Sequence, residues 1–165
     1  MIFVSVGSQK FQMNRLLMEL DRLCGDGSIR QEVLAQTGRC SYRPVHFRGQ
    51  PFYPREEMEQ AIQACDLLIC HGGTGTILSG IRMGRKVIVV PRLSRYGEHV
   101  DDHQQDLAAA FEGKGYLLVA WETGDILAMV EHAAVWTPQP YVSNTEHFVA
   151  MLRDLLSKME AEKHG

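Results

Sequence analysis

The sequence lacks several features that would mark particular classes of protein. Its 165 residues include only four cysteines, with no CxxC spacing: Cys24, Cys40, Cys65 and Cys70. This low density is typical of a reduced setting in which cysteines mostly fill the core, and it excludes a disulfide-rich scaffold. No apolar run reaches the roughly 18 residues that a membrane-spanning helix needs, and the first residues do not resemble a signal peptide. We therefore expect a cytoplasmic chain that does not cross a membrane by itself.

The sequence also lacks a marked excess of charge of either sign. There are 17 Lys and Arg residues against 20 Asp and Glu residues, a formal net charge of −3, and the basic residues form no stripe. A nucleic-acid partner is therefore not expected, since such partners select a basic surface. What is present is 45% hydrophobic residues over a length that suits one compact domain, 1–165, with a substantial core.

Short apolar runs alternate with amphipathic segments along the chain. The predicted strands are 2–6, 66–70, 86–91 and 116–120, with weaker candidates in 32–38 and 44–52. The predicted helices are 14–25, 54–65, 76–84, 98–115, 124–134 and 145–162. Because the strands are short and apolar throughout, the pattern predicts an α/β fold with a parallel sheet covered by helices on both faces.

A glycine-rich loop follows the strand at 66–70. The stretch reads DLLICHGGTGTILSG, and its loop comprises His71, Gly72, Gly73, Thr74, Gly75 and Thr76. Glycines let backbone N–H groups approach an oxyanion, and the following helix adds partial positive charge. The Walker and GxGxxG patterns both fail, the second because Leu78 stands where its third glycine belongs. The loop predicts a phosphate or diphosphate site, with a simple tight turn as the alternative.

A second polar cluster follows the strand at 86–91. The stretch PRLSRYGEHVDDHQQ places at the start of one predicted helix Glu98, His99, Asp102, His103, Gln104 and Gln105. Both loops follow strands of one parallel sheet, so we expect them at the same sheet edge. The two histidines have a spacing that can bind a metal, but no third ligand is evident and we expect no metal site. A solvated helix start is the alternative, since acidic residues favour that end.

In both loops and in its first strand, the chain resembles the nucleotide-binding half of family 28 glycosyltransferases of the GT-B type. The similarity rests on FVSVGSQKFQMNRLL, DLLICHGGTGTILSGIRMGRKVIVVPR and YGEHVDDHQQDLA. The nearest likeness is to short single-domain members. These are the catalytic subunit of the two-subunit transferase that adds the second N-acetylglucosamine to dolichol-linked sugar, and the PssE-like subunits of bacterial exopolysaccharide clusters. The resemblance implies a Rossmann-like domain equivalent to the C-terminal, donor-binding half of a GT-B enzyme.

The resemblance also implies roles for single residues. The glycine loop, His71 to Thr76, would hold the diphosphate of a sugar nucleotide, and Asp102, Gln104 and Gln105 would reach the donor sugar. Gly7 and Ser8 would face the same cleft, and His103 would contact sugar or serve the structure. Relatives place a Glu eight residues after the His position, where this chain has Ser79. We expect either looser binding of the ribose or its capture by Glu98, because one hydroxyl cannot bridge two others as a carboxylate does.

The implied reaction is inverting transfer of a hexose from a UDP-sugar to a lipid-linked saccharide in exopolysaccharide biosynthesis. UDP-sugar is the donor substrate, and no cofactor or metal is expected. His99 and Asp102 are the candidate general bases in this chain, and a partner subunit is the alternative source of the base. A non-catalytic nucleotide-sugar-binding regulator, a scaffold subunit and a UDP-sugar epimerase are the rival interpretations.

A GT-B enzyme closes two domains over its substrates, and this chain supplies one. The resemblance implies that a PssD-like membrane-anchored subunit supplies the other half, brings the acceptor and recruits the chain to the inner face of the plasma membrane. The apolar stripe of the helix at 145–162, which includes Phe148, is the expected docking element, or else packs on the chain's own sheet. Without its partner the chain can self-associate through that surface, so the oligomeric state stays open.

Overall fold

Six parallel strands form the centre of the protein in a computed structural model that describes residues 1–142 and 145–163. The strands are β1 Ile2–Ser5, β2 Val33–Gln36, β3 Arg48–Gln50, β4 Leu67–Cys70, β5 Lys86–Val89 and β6 Leu118–Val119. The helices are α1 Asn14–Gly25, α2 Arg55–Ala64, α3 Thr74–Arg82, α4 His103–Gly113, α5 Ile126–Val135 and α6 Thr145–Lys163. Two short 3-10 helices span Ser94–Tyr96 and Thr123–Asp125.

The strand order is β3-β2-β1-β4-β5-β6, so the chain changes direction across the sheet after β3. At the centre, Val4 of β1 lies between Ala35 of β2 and Ile69 of β4. The loops after β1 and β4 therefore leave the same edge side by side, which is where open α/β sheets bind their ligands. The predicted Rossmann-like fold is confirmed.

Alternating side chains of the strands divide the core into two layers. Val4 and Ile69 face one layer, which α1 and α5 cover with residues such as Leu16 and Ile126. The opposite layer lies under α2, α3 and α4 and contains Ile62, Ile77 and Phe111. Each face of the sheet is therefore sealed by helices, which explains why the strands are apolar on both sides.

Several element boundaries differ from the sequence prediction. Only Arg48–Gln50 of the candidate 44–52 forms a strand, and the predicted strand 116–120 shortens to Leu118–Val119. Both are edge strands, and β6 pairs with Ile88 and Val89 of β5. At its carboxyl end β6 stops with the last residue of β5, a limit that a run of apolar side chains does not record.

The long helix α6 packs on the domain itself. Met151 packs against the α2–α4 side of the core, while Leu156 is 56% exposed. The side chain of Phe148, which the sequence assigned to the same stripe, lies outside the described residues. In the part of the chain that the structure covers, no helix is both long and apolar enough to cross a bilayer.

Candidate functional site

A cavity of ≈ 370 Å³ opens at the carboxyl edge of the sheet. It brings together residues from the glycine loop and from the loop after β5, as the sequence predicted, and its third wall comes from α6. Its lining includes Gln9, Gly72, Gly73, Thr74, His99, Asp101, His103, Gln104, Leu107, Leu152, Leu155, Leu156 and Met159. The cavity is therefore polar on the loop side and apolar on the α6 side.

The N-terminus of α3 lies at this cavity. Gly73 occupies the N-cap position, and the helix begins at Thr74, two residues earlier than predicted. Thr74, Gly75 and Thr76 thus form the first helical turn and are not loop residues. The first N–H groups of an α-helix have no acceptor within the helix, and the dipole makes this end partially positive. The arrangement suits an anion such as a diphosphate.

His71 fills the space between the loops after β1 and β4. A Cβ atom added to Gly7, whose φ is 80°, would lie 2.6 Å from its ring, and one added to Gly73 would overlap its Nε2. Nδ1 lies 3.3 Å from the carbonyl oxygen of Ser5, which can only accept, so the proton is on Nδ1. Burial, together with the charge of Arg92, lowers the pKa of His71 to about 4. The ring is therefore neutral near pH 7, and it packs against the backbone of both loops at Gly7 and Gly73.

Gln104 joins the two loops that meet at the cavity. Its amide Oε1 accepts the backbone N–H of Gly72 and that of Arg92, each at 3.1 Å. Both N–H groups use this oxygen, while Gln104 also lines the cavity, so its predicted contact with the donor sugar stays a prediction. The first of these bonds changes the role of Gly72, whose N–H donates to Gln104 and not to a phosphate.

Glu98 is buried, with 1% of its surface exposed. Its carboxylate accepts hydrogen bonds from Arg15 Nε at 2.7 Å, from Arg15 Nη2 at 3.0 Å and from the Leu93 N–H at 3.0 Å. Glu98 therefore does not capture the ribose, and that expectation is wrong in this structure. The hydroxyl of Ser79 donates to the Gly75 carbonyl at 3.0 Å, so it is engaged within α3.

The start of α4 also differs from the prediction, which placed it at 98. Gly97 adopts the left-handed conformation with φ of 68°, and the chain reaches α4 only at His103. Asp102 occupies the N-cap position of α4, and its Oδ1 accepts the Ser94 N–H at 2.8 Å. Glu98 and His99 therefore lie in the loop before α4, in which the Glu98 side chain is buried.

Arg92 is a structural residue that the sequence analysis missed. It is fully buried, and its guanidinium donates to the carbonyl oxygens of Val6, Phe11 and Glu98. Burial lowers the pKa of Arg92. The side chain ties the loop after β1 to the loop after β5. In the sequence, the one indication of this structural role is the position of Arg92 directly after the predicted strand at 86–91.

His99 and Asp101 form a second polar pair, and Asp101 was also missed. Nδ1 of His99 lies 3.1 Å from Asp101 Oδ1, and Nε2 of His103 lies 3.8 Å from Asp101 Oδ2. The His99 ring stands 5.5 Å from that of Phe11. Among the residues that the structure describes, no group of three or more His, Cys, Asp or Glu side chains is arranged to hold a metal ion.

Asp102, one of the two candidate bases, is a poor proton acceptor. The Ser94 N–H lowers the pKa of its carboxyl group, so protonation of Asp102 is less favourable than for an ordinary aspartate. The remaining predicted site residues lie at the same edge. Ser8 is exposed, Gln105 and Thr76 are half-buried, and the Gly7 N–H donates to Ser5 Oγ at 3.3 Å. Their roles toward a substrate stay predictions.

The sequence matches the Glycosyltransferase family 28 C-terminal domain over residues 1–154. The chain belongs to this family. Similar proteins include the UDP-N-acetylglucosamine transferase subunit ALG13 of Candida glabrata, 32% identical over 94 residues, which cover 54% of this chain and 44% of that protein. Another is the UDP-N-acetylglucosamine--N-acetylmuramyl-(pentapeptide) pyrophosphoryl-undecaprenol N-acetylglucosamine transferase of Alkaliphilus metalliredigens. It is 37% identical over 65 residues, covering 39% of this chain and 17% of that protein. The matched stretch thus spans less than half the length of either relative.

Solved structures share the fold of this family 28 chain. The solution structure of ALG13 superposes with a TM-score of 0.59 at 20% identity, covering 92% of this chain and 94% of that one. A glycotransferase of kitacinnamycin gives a TM-score of 0.62 at 19% identity, with 81% of this chain and 34% of the other covered. MurG of Acinetobacter baumannii gives 0.53 at 18% identity, with 92% and 49% covered. The fold is that of the C-terminal, Rossmann-like domain of GT-B glycosyltransferases.

Proposed function

We propose that the protein is the donor-binding, catalytic subunit of an inverting glycosyltransferase that uses a UDP-sugar. One observation carries this proposal. The N-terminus of α3 and the His99 side chain line the same cavity at the carboxyl edge of the sheet, in a chain of family 28. An anion site and a proton acceptor on one cavity are the two elements that glycosyl transfer from a sugar diphosphate requires.

The diphosphate of the donor would bind at the first turn of α3. The N–H groups of Thr74, Gly75 and Thr76 can donate to its oxygens, and the helix dipole stabilises negative charge there. Gly75 is exposed, and a Cβ atom on it would meet open space, so the backbone is accessible to a ligand at this point. The same groups would stabilise the charge that develops on the leaving UDP.

His99 is the general base that we assign to the transfer step. The acceptor hydroxyl gives its proton to the imidazole while its oxygen attacks the anomeric carbon, and the bond from that carbon to the diphosphate breaks with its electrons on UDP. Asp102 is less suited because its lowered pKa makes it a weak proton acceptor. Inversion follows from attack on the face opposite the diphosphate.

Two similarities bear on the identity of the donor sugar. The resemblance to PssE-like subunits favours transfer of a hexose to a lipid-linked saccharide in exopolysaccharide biosynthesis. The relatives in Candida glabrata and Alkaliphilus metalliredigens are named as transferases of N-acetylglucosamine from its UDP form. Both UDP-hexoses and UDP-N-acetylglucosamine therefore belong in the donor panel, and the shared UDP group is the part that α3 would hold.

A membrane-anchored, PssD-like subunit is the proposed partner, because the fold is that of the donor-binding domain of a GT-B enzyme and a relative is itself a transferase subunit. Such a partner would recruit the chain to the inner face of the plasma membrane and present the lipid-linked acceptor. The exposed part of α6, which includes Leu156 at the rim of the cavity, is the proposed docking element.

Isothermal titration with UDP and with ADP tests the donor site, using the chain alone and together with its partner. Gly75→Val should abolish UDP binding, since a branched side chain would cover the first N–H groups of α3. Gly113→Val is the matched control: Gly113 also faces open space, on α4, and the change should leave the UDP affinity unchanged. Absence of UDP binding at millimolar concentration in both samples would disprove the proposal. UDP-sugar binding without transfer by the complex would identify a regulatory subunit.

A further inference from the structure

We propose that α6 is a cover for the candidate donor cavity: in the chain by itself it lies across the cavity, and it lifts away when a sugar nucleotide binds. The inference rests on the proposed function for the identity of the ligand, but the cover itself can be tested without a nucleotide. It comes from four apolar side chains of α6 in the wall that faces the polar loops. These are Leu152, Leu155, Leu156 and Met159.

The four side chains form one stripe, the inner stripe, because their spacing of three or four residues places them on a single face of α6. The opposite wall consists of polar and glycine residues from the loops after β4 and β5 and from the helix starts that follow them, together with Gln9. Leu107 of α4 is the one apolar side chain among the described lining residues outside α6. The phosphates and hydroxyls of a sugar nucleotide would find no hydrogen-bond partner on the inner stripe. The stripe therefore closes the cavity without the chemistry to bind the proposed ligand.

α6 is held more loosely than the other α-helices. Leu152, Leu155 and Met159 are half-buried, Leu156 is 56% exposed, and none of the α6 side chains that the structure describes is buried. Helices α1 to α5 each have at least one buried residue, although all of them are shorter. Elements with few buried apolar side chains open at a small cost in free energy, and the moving parts of proteins come from this class. α6 can therefore leave its place while the sheet and the other helices stay folded.

The beginning of α6 is anchored better than the rest of the helix. Shortly before α6, the ring of Tyr141 packs against that of Tyr116, with 5.9 Å between the ring centres. Met151 packs against the α2–α4 side of the core, and the inner stripe begins at the next residue. The part of α6 that carries the stripe can therefore lift from the cavity by pivoting about the anchored part.

The space beneath α6 is small for the proposed reaction. The cavity volume of ≈ 370 Å³ lies near the lower end of the roughly 300–1,000 Å³ found for the sites of drug-sized ligands. Glycosyl transfer needs room for a sugar nucleotide and, beside His99, for the acceptor hydroxyl. Lifting α6 provides that room and exposes the inner stripe.

The cover links nucleotide binding to the proposed partner subunit. Once α6 has lifted, its inner stripe needs a new apolar contact, and the partner that docks on this helix would supply it. A partner that binds the uncovered form raises the population of that form, and the nucleotide does the same. Partner and nucleotide should therefore strengthen each other's binding by the same factor.

Leu152→Gln combined with Leu155→Gln should weaken the cover and leave α6 helical, because glutamine is a good helix former. Isothermal titration should then give a dissociation constant for UDP about tenfold lower than in the wild type, since the apparent constant is the intrinsic one divided by the uncovered fraction. Ala161→Gln, exposed on the opposite face of α6, is the matched control and should change nothing. Unchanged UDP affinity in the double variant would overturn the proposal. Weaker binding would overturn it too, because α6 would then be a wall of the nucleotide site.

Hydrogen exchange followed by mass spectrometry reads the movement of α6 in the wild-type chain. UDP should speed the exchange of amide protons in α6, because the lifted helix loses its contact with the domain. The same addition should slow exchange in the first turn of α3, where the diphosphate would bind. Slower exchange in α6 on addition of UDP would contradict the cover.

Modification of His99 by diethylpyrocarbonate tests the cover without a nucleotide. His99 is 19% exposed and lines the cavity, so its reactivity depends on whether α6 is in place. The Leu152→Gln and Leu155→Gln double variant should react several-fold faster at His99 than the wild type, and equally fast at His132, which is exposed on α5. Equal rates at His99 would refute the cover. Faster modification of His99 without UDP binding by either protein would instead refute the proposed function and leave the cover standing.

Discussion

The imidazole of His71 occupies the space that Gly73 leaves by having no side chain. A methyl group at Gly73 would overlap Nε2 of that ring, and one at Gly7 would approach it to 2.6 Å. The ring is 6% exposed and packed on both sides by backbone, so it has no room to retreat. Two glycines that look like parts of a ligand loop are thus required by a neighbouring side chain.

Gly73→Ala should destabilise the fold, whereas Gly75→Ala should not. Overpacking of a filled site costs about 1–3 kcal/mol, and the Gly73 side chain would have to displace His71. Gly75 lies in the first turn of α3 with open space around it, so alanine there should raise stability by up to about 1 kcal/mol. Urea unfolding monitored by circular dichroism measures both. Equal effects of the two substitutions would contradict the packing argument.

Gln104→Ala should lower the free energy of unfolding by about 1–3 kcal/mol for each buried donor left without an acceptor. The donors are the N–H groups of Gly72 and Arg92, which share one amide oxygen. Gln105→Ala is the matched control on the same helix and should change stability by less than about 0.5 kcal/mol. If Gln104→Ala unfolds like the wild type while losing UDP-sugar affinity, the side chain serves the ligand instead.

Glu98→Gln should destabilise the protein without a specific effect on nucleotide affinity. Removing one partner of a buried ion pair costs about 3–5 kcal/mol, and we expect the lower end because Arg15 is 16% exposed. Arg15→Met combined with Glu98→Gln should recover part of this loss, because no charge is then left unpaired. Chemical denaturation of the wild type, the two single variants and the double variant gives the unfolding free energies for a double-mutant cycle. A stable Glu98→Gln protein with weakened UDP binding would restore the ribose role that the structure rejects.

Acid should destabilise the protein through His71. Its pKa is about 4 in the folded chain and 6.5 in an ordinary setting, so between these values the unfolded chain binds a proton that the folded chain does not. Stability therefore falls as the pH falls from 6.5 to 4, by up to about 1.4 kcal/mol per pH unit. His71→Asn should flatten this part of the profile, and His132→Asn, on an exposed side chain of α5, should not. Parallel profiles for wild type and His71→Asn would contradict the assignment.

The apolar runs of the sequence were sufficient to predict the central strands and the parallel sheet. The runs at 2–6 and 66–70 became β1 and β4 because burial on both faces demands continuous apolar side chains. The edge strands were predicted less accurately, since β6 stops with the last residue of β5. The start of α4 was also misplaced, because Glu98 lies in the preceding loop, where it pairs with Arg15, 83 positions away in the sequence.

The candidate site, like the fold, could be predicted in part from the sequence. The glycine loop and the DDHQQ segment meet at one cavity because parallel strands deliver their loops to one edge, a consequence that sequence order alone predicts. The partners of single polar atoms could not be predicted, because they depend on side-chain direction. Gln104 turns inward to backbone N–H groups, Glu98 turns inward to Arg15, and Asp101 stands beside His99.

The single oxygen by which Gln104 joins Gly72 to Arg92 has a consequence for how the protein works. The segment that would receive the diphosphate and the segment that carries His99 are fastened together before any ligand arrives, so their spacing is a property of the folded chain. Binding need not align them, and no ordering entropy is lost for that purpose. Any motion that aligns the acceptor with the donor must then come from a part of the enzyme outside these two loops.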